Sequence, residues 1–205
     1  MQFDPAEMSL RDIYFKMVQL ITPRPIAWVS SISKKGVTNL APFSFFNGVG
    51  ANPPTLVFCP ANRRDGRPKD TLHNIEQTGE FVVHVVPFAL AESMNQTAAD
   101  YDSEISEIEA SGLQTVSSES INVPRLADAP AAFECVLHQS IHLGSGPAGA
   151  NLVIGRIVRM HVRDELFDEA GNIDPGRLDT IGRLGGAGYT RTTDRFDLPR
   201  PTLPN

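Results

Sequence analysis

Most apolar positions in this 205-residue chain fall into short β-branched and aromatic runs rather than helical stripes. PIAWVSSIS (25–33), TLVFC (55–59), EFVVHVV (80–86), AFECVLHQSIHL (132–143) and LVIGRIVRMHV (152–162) read as strands. Several are nearly continuous apolar runs, as in strands covered on both faces. The run at 132–143 alternates imperfectly, with Phe133, Cys135 and Leu137 against Glu134, Val136 and His138.

Helical patterns are fewer. KDTLHNIEQTG (69–79) spaces Leu72 and Ile75 by three, with Asp70 or Thr71 as N-cap and Gly79 as stop. LAESMNQTA (90–98) and SEISEIEASG (103–112) predict short helices, the second presenting a solvated acidic face. From about 163 the chain is turn-rich. No repeat or low-complexity linker divides residues 1–205, so the pattern predicts one mainly β domain with peripheral helices. Such a strand set closes into a barrel or sandwich to remove its edges.

Composition narrows the function classes. A net charge of −6 argues against nucleic acid as the main partner, because phosphate-backbone surfaces are basic. The longest apolar runs fall short of the ~18–20 residues of a membrane span. With an acidic N-terminus lacking an apolar signal core, the expected location is cytoplasmic. Cys59 and Cys135 lie in apolar contexts and read as buried free thiols. The five histidines are scattered; His138 and His142 would share a strand face without forming a metal pair. GSGPAG (144–149) is followed by a strand pattern rather than a helix, so it reads as a hairpin loop and not a dinucleotide fingerprint. RLGGAG (183–188) reads as a flexible turn.

Two segments carry candidate chemistry. RRDGRPKDT (63–71) gathers Arg63, Arg64, Arg67 and Lys69 immediately before a helix start. A helix N-terminus is already partly positive, so cations clustered there suit an anion such as phosphate. NLAPFSFFNGVGANPP (39–54) is uncharged and combines three phenylalanines with Asn39, Ser44 and interrupted backbone. That mixture suits a flat heteroaromatic ring with a polar edge. Together the segments imply a phosphorylated aromatic cofactor, such as flavin mononucleotide or pyridoxal phosphate.

The ordered series TPRPIAWVSSIS, G-x-x-NLAPFSFFN, NPP, KDTLHNIEQTGEFVVHVV and IGRLGGAGYTR…RFDLPRP resembles the flavin reductase-like family, which has an FMN-binding split-barrel fold. The resemblance spans roughly residues 10–200. It implies a homodimer, with FMN as cofactor and NADH or NADPH as electron donor. It also implies a role in supplying reduced flavin to a partner monooxygenase, or, alternatively, a flavoredoxin-like electron carrier. Carried onto matching positions, Arg24, Trp28, Val29 and Ser30 would lie beside the flavin, and Asn39, Leu40 and Ala41 along its polar edge. Ser44 and Phe45 would flank the ribityl chain. Arg64, Lys69, Asp70 and Thr71 would lie near the phosphate, and Arg183 and Tyr189 would cover the site. His84 stands where many relatives carry Asn. No catalytic dyad is expected, since the flavin carries the redox step.

Overall fold

The computed structural model describes residues 1–203. Its first helix, α1 (Leu10–Leu20), has no counterpart in the sequence reading. Ser9 caps it, accepting from the Asp12 N–H at 3.1 Å and donating to the Asp12 carboxylate at 2.7 Å. Strands β1 (Ala27–Ile32), β2 (Thr38–Phe43), β3 (Phe46–Ala51) and β4 (Pro54–Phe58) follow, then helix α2 (Asp70–Thr78) and β5 (Glu80–His84). Short helices α3 (Ala91–Gln96) and α4 (Glu107–Ala110) precede the small ladder of β6 (Thr115–Val116) and β7 (Arg125–Leu126). The long hairpin β8 (Ala131–His142) and β9 (Asn151–Val162) leads to α5 (Pro175–Leu178) and a last ladder, β10 (Ile181–Arg183) with β11 (Tyr189–Arg191).

The main sheet has seven antiparallel strands in the order β2-β1-β5-β8-β9-β4-β3. Its two outer strands, β2 and β3, are separated in sequence only by Ser44 and Phe45. A two-residue link between opposite edges requires the sheet to roll until those edges approach. No ladder joins them, so the barrel is split along this seam.

Helix α2 plugs the interior. Leu72 and Ile75 are fully buried there with Val29, Phe58, Phe81 and Val153. Phe43, Phe58 and Phe81 form a chain of rings with centroids 5.2 and 5.6 Å apart. Gly155 on β9 makes room for it, because a Cβ there would lie 2.3 Å from Phe81 Cζ. The opposite face of β1 packs outward: Trp28 joins Leu40, Met94, Ile108 and Leu126 in a second cluster beneath α3 and α4.

Differences from the sequence expectations have local causes. Helix α2 begins at Asp70 with Lys69 at the N-cap, and neither Asp70 nor Thr71 caps it; Gly79, at φ +75°, ends it as expected. The acidic segment 103–112 is helical only at Glu107–Ala110, capped by Ser106. Along β8 the alternation holds from Phe133 to Leu137, with Phe133, Cys135 and Leu137 against the barrel core. The register shift between Glu134 and Cys135 comes from an extra residue on β9, Val158, and the one between Leu137 and Gln139 from an extra residue on β8, His138. His138 is the unpaired residue of that second shift, so simple alternation does not relate it to His142. Residues 144–149 lie in the β8–β9 hairpin loop, as their sequence predicts. Cys135 is buried but Cys59 only partly so, and burial raises the pKa of both thiols. Among the described residues no helix is long and apolar enough to cross a membrane, and no metal-ligating cluster occurs.

Candidate functional site

A cavity of about 220 Å³ opens at the barrel seam. One wall is the uncharged tract itself, where Asn39, Ala41, Pro42, Phe43, Ser44 and Phe45 follow the unpaired edge of β2 across the link. The facing wall is the start of α2, with Lys69, Asp70 and Thr71, joined by Arg63. The Asn39 amide donates to Thr71 Oγ1 at 2.9 Å, fixing the seam to the helix end. The two segments singled out in the sequence thus meet in one cavity.

The electrostatics of the helix end are unusual. Arg63 is ion-paired to Asp70, which removes that carboxylate from capping. The first N–H groups of α2 therefore have no side-chain cap and open beside Lys69 and Arg63. Asp100, on the segment after α3, faces these cations at 3.9 Å from Arg63 and 3.7 Å from Lys69. At 81% side-chain exposure, it is a loosely held counter-ion.

The remaining walls come from residues the sequence reading did not select. Tyr14 enters from α1, Cys59 and Ala61 from the end of β4, and 97–101 from the segment after α3. Glu107 is the least expected, since the acidic run was read as a solvated face. Its side chain instead turns inward to line the cavity, and Oε2 accepts the Leu40 N–H at 2.9 Å. Desolvation raises its pKa; the Leu40 hydrogen bond opposes that shift without cancelling it. The signal for α1 was present as apolar spacing at Leu10, Ile13, Tyr14, Met17 and Val18. Nothing in the string distinguishes Glu107 from its acidic neighbours.

Other residues named from the sequence lie elsewhere. Trp28 is fully buried, its indole N–H donating to Thr97 Oγ1 at 2.8 Å. Val29 lies in the barrel interior, and Ser30 is buried with its hydroxyl donating to the Pro124 carbonyl at 2.9 Å. Leu40 contributes its backbone to the edge while its side chain packs with Trp28. Arg24 braces the cavity from behind: its guanidinium donates to Val18 O at 2.7 Å, Ile21 O at 2.6 Å, Leu184 O at 3.0 Å and Ser44 Oγ at 3.3 Å. Arg183 and Tyr189 pair on the β10–β11 hairpin, guanidinium carbon 4.3 Å from the ring centroid, outside the cavity lining. Arg64 opens into an adjoining outer groove rather than the cavity.

His84 has a structural place. Leu126 N–H donates to its Nε2 at 2.9 Å, which leaves Nδ1 to donate to Trp28 O at 2.9 Å. That pattern fixes one neutral tautomer, and burial pulls its pKa down to about 4. His84 does not line the cavity.

A seam cavity in a split seven-stranded barrel defines a class, and comparison with known proteins agrees. Residues 19–182 match the model of the flavin reductase like domain, and the chain belongs to that family. It is similar to nitrilotriacetate monooxygenase component B from Bacillus cereus, with 40% identity, TM-score 0.91, and 97% of this chain and 98% of that one covered. It is also similar to the 2-nitrobenzoate 2-nitroreductase of Pseudomonas fluorescens, with 38% identity, TM-score 0.89, and coverage of 100% and 99%. A split-barrel-domain structure from Shewanella frigidimarina shares 27% identity and a TM-score of 0.83 over 98% of this chain and all of that one. The fold is the FMN-binding split barrel, and the chain is a flavin reductase-like protein.

Proposed function

We propose that this protein is an NAD(P)H-dependent FMN reductase that works as a homodimer and passes reduced flavin to a partner monooxygenase. The observation that carries the reading is the uncapped start of α2, which opens with Lys69 and Thr71 into the same cavity as the uncharged seam. Lys69 and the free N–H groups would hold the phosphate, with Thr71 as a further donor. The seam residues Ala41, Ser44 and Phe45 would bind the ribityl chain and ring. When bound, FMN supplies the hydride-accepting chemistry. The chain's part is to hold two rings in register, and no side chain is assigned as a general base. Likeness to a monooxygenase component B supports the partner reading.

The dimer has its own support. The cavity of about 220 Å³ is small against the ~300–1,000 Å³ usual for small-molecule sites, so a flavin would overhang its mouth. Beside the seam, β3 is an uncharged outer strand exposed from Asn47 to Ala51. An adjacent groove of about 290 Å³ is lined largely by Pro23, Pro25, Ile26, Phe46, Val86 and Ile181. Uncharged edges of this kind are normally covered, here by a second subunit.

The test is an anaerobic absorbance scan with FMN added, before and after NADH and then NADPH. Loss of the flavin band near ~450 nm with either nucleotide supports the reductase and selects its donor. A bound flavin that bleaches only with a chemical reductant replaces the reductase with an electron carrier. Lys69→Ala is expected to weaken FMN binding about ten-fold while leaving the fold intact, as read by fluorescence titration and circular dichroism.

A further inference from the structure

A cavity of about 330 Å³ lies against the open end of the β8–β9 hairpin and shares no residue with the one at the seam. Leu126, Ala129, Pro130, Ala132, Met160 and Val162 supply apolar lining, and Arg125, His161 and Arg163 supply its polar side chains. Arg125 is left unused by the fold. Its Nε is buried with no hydrogen-bond partner, and among the described residues no carboxylate comes within 4.0 Å of its guanidinium. The two Nη groups make no hydrogen bond either and are not buried, so the guanidinium presents its end to the cavity. A charge half withdrawn from water in this way is costly until an anion accepts from it, and pairs with that anion more strongly than a solvated one.

The frame around Arg125 is fixed. Ser30 Oγ donates to Pro124 O, Leu126 N–H to His84 Nε2 and Ala127 N–H to Gln114 O, each at 2.9 Å. Arg163 donates from Nη2 to Ala127 O at 3.1 Å. Its carboxylate partners Asp128 and Glu165 stand at 3.7 and 3.6 Å with side chains 64% and 68% exposed, so both pairs are loose. His161 is committed elsewhere. Its Nε2 donates to the buried Glu134 carboxylate at 2.6 Å, which also accepts the Glu119 and Ser120 N–H groups at 2.8 and 2.7 Å. Arg125 is therefore the free donor of the cavity, and Arg163 a partial one.

This donor set selects among anions. A phosphate draws on several donors, commonly with backbone N–H groups among them. Here those of Leu126 and Ala127 are already spent, and that of Arg163 goes to Pro130 O at 3.0 Å. A carboxylate needs only one planar fork, which a single guanidinium matches with two parallel hydrogen bonds. We propose that this cavity is an accessory site for a small organic carboxylate, anchored end-on by Arg125, with its carbon skeleton against Leu126, Met160 and Val162.

Isothermal titration of the whole chain, with FMN present, against benzoate and its uncharged counterpart benzamide tests this. Benzoate is expected to bind wild type, and benzamide to bind roughly ten-fold more weakly or worse. Arg125→Gln is expected to weaken benzoate roughly ten-fold and FMN by less than about two-fold, because the two cavities share no residue. Circular dichroism checks the fold. If Arg125→Gln misfolds, Arg125→Lys serves, keeping the charge without the fork, with an expected loss of about three-fold. The site is overturned if wild type binds neither compound, if benzamide matches benzoate, or if the variant binds benzoate as tightly as wild type. Benzoate binding that survives Arg125→Gln but is lost in Lys69→Ala belongs to the seam cavity and overturns it equally. Inorganic phosphate that binds wild type more tightly than benzoate, and is weakened by Arg125→Gln, overturns the carboxylate assignment.

Discussion

Glu107 sits where a carboxylate is costly, yet it is the group that satisfies the Leu40 N–H on the unpaired edge of β2. Glu107→Gln keeps an acceptor for that N–H and removes only the charge. Glu107→Ala leaves a buried donor unpaired, at about 1–3 kcal/mol. Urea unfolding is expected to show the alanine variant clearly weakened and the glutamine variant close to wild type. His84 gives a pH-dependent counterpart. Its folded pKa of about 4 lies below the ordinary 6.5, so the unfolded chain takes up a proton first as pH falls. Stability from this group is intact above about pH 6.5 and is lost progressively down to about pH 4, by on the order of 3 kcal/mol. His84→Asn, which keeps hydrogen-bonding capacity but does not titrate, should flatten that part of a stability–pH curve. A wild-type curve already flat between those limits would remove His84 as its source. The sequence marked His84 as unusual, but its role depends on Trp28 O and Leu126 N–H, which lie 56 and 42 residues away.

At the level of elements, what was legible followed from period and punctuation. The five long strand patterns all became strands of the main sheet, and Gly79 ended α2 because its left-handed backbone suits glycine. What was not legible depended on which neighbour a side chain meets. Trp28 and Val29 alternate on β1, and the string does not say that one faces the outer layer and the other the barrel interior. Asp70 looked like a cap and is held by Arg63 instead, and that exchange leaves the end of α2 open. The β9 contact at Gly155 was equally hidden. Gly155→Ala would push a methyl group into the Phe81 ring, and the expected loss is about 1–3 kcal/mol, read from the denaturant midpoint. An unchanged midpoint would mean that the ring chain has room to shift.

For the whole molecule, the seam places the candidate site, the exposed β3 edge and the apolar groove on adjoining parts of the surface. Burial of that edge by a second copy predicts that Val49→Glu, a charge placed on exposed β3, shifts sedimentation from dimer to monomer without unfolding the chain. A wild-type monomer at micromolar concentration would remove the dimer from the proposal. The sequence showed the uncharged tract but not that it forms both outer strands of one sheet. That follows only from closure, with Ser44 and Phe45 bridging opposite edges.

Arg24 ties this closure to both ends of the chain. One guanidinium holds carbonyls at Val18 and Ile21, another at Leu184, and the hydroxyl of Ser44 at the seam. These groups belong to segments that make few other mutual bonds, so the arginine acts as a keystone for all three. Fraying of the first helix would release the glycine-rich turn, and loosening of that turn would release the link between the barrel's edges. The seam thus inherits part of its rigidity from Arg24 and the glycine-rich turn, neither of which lines the cavity.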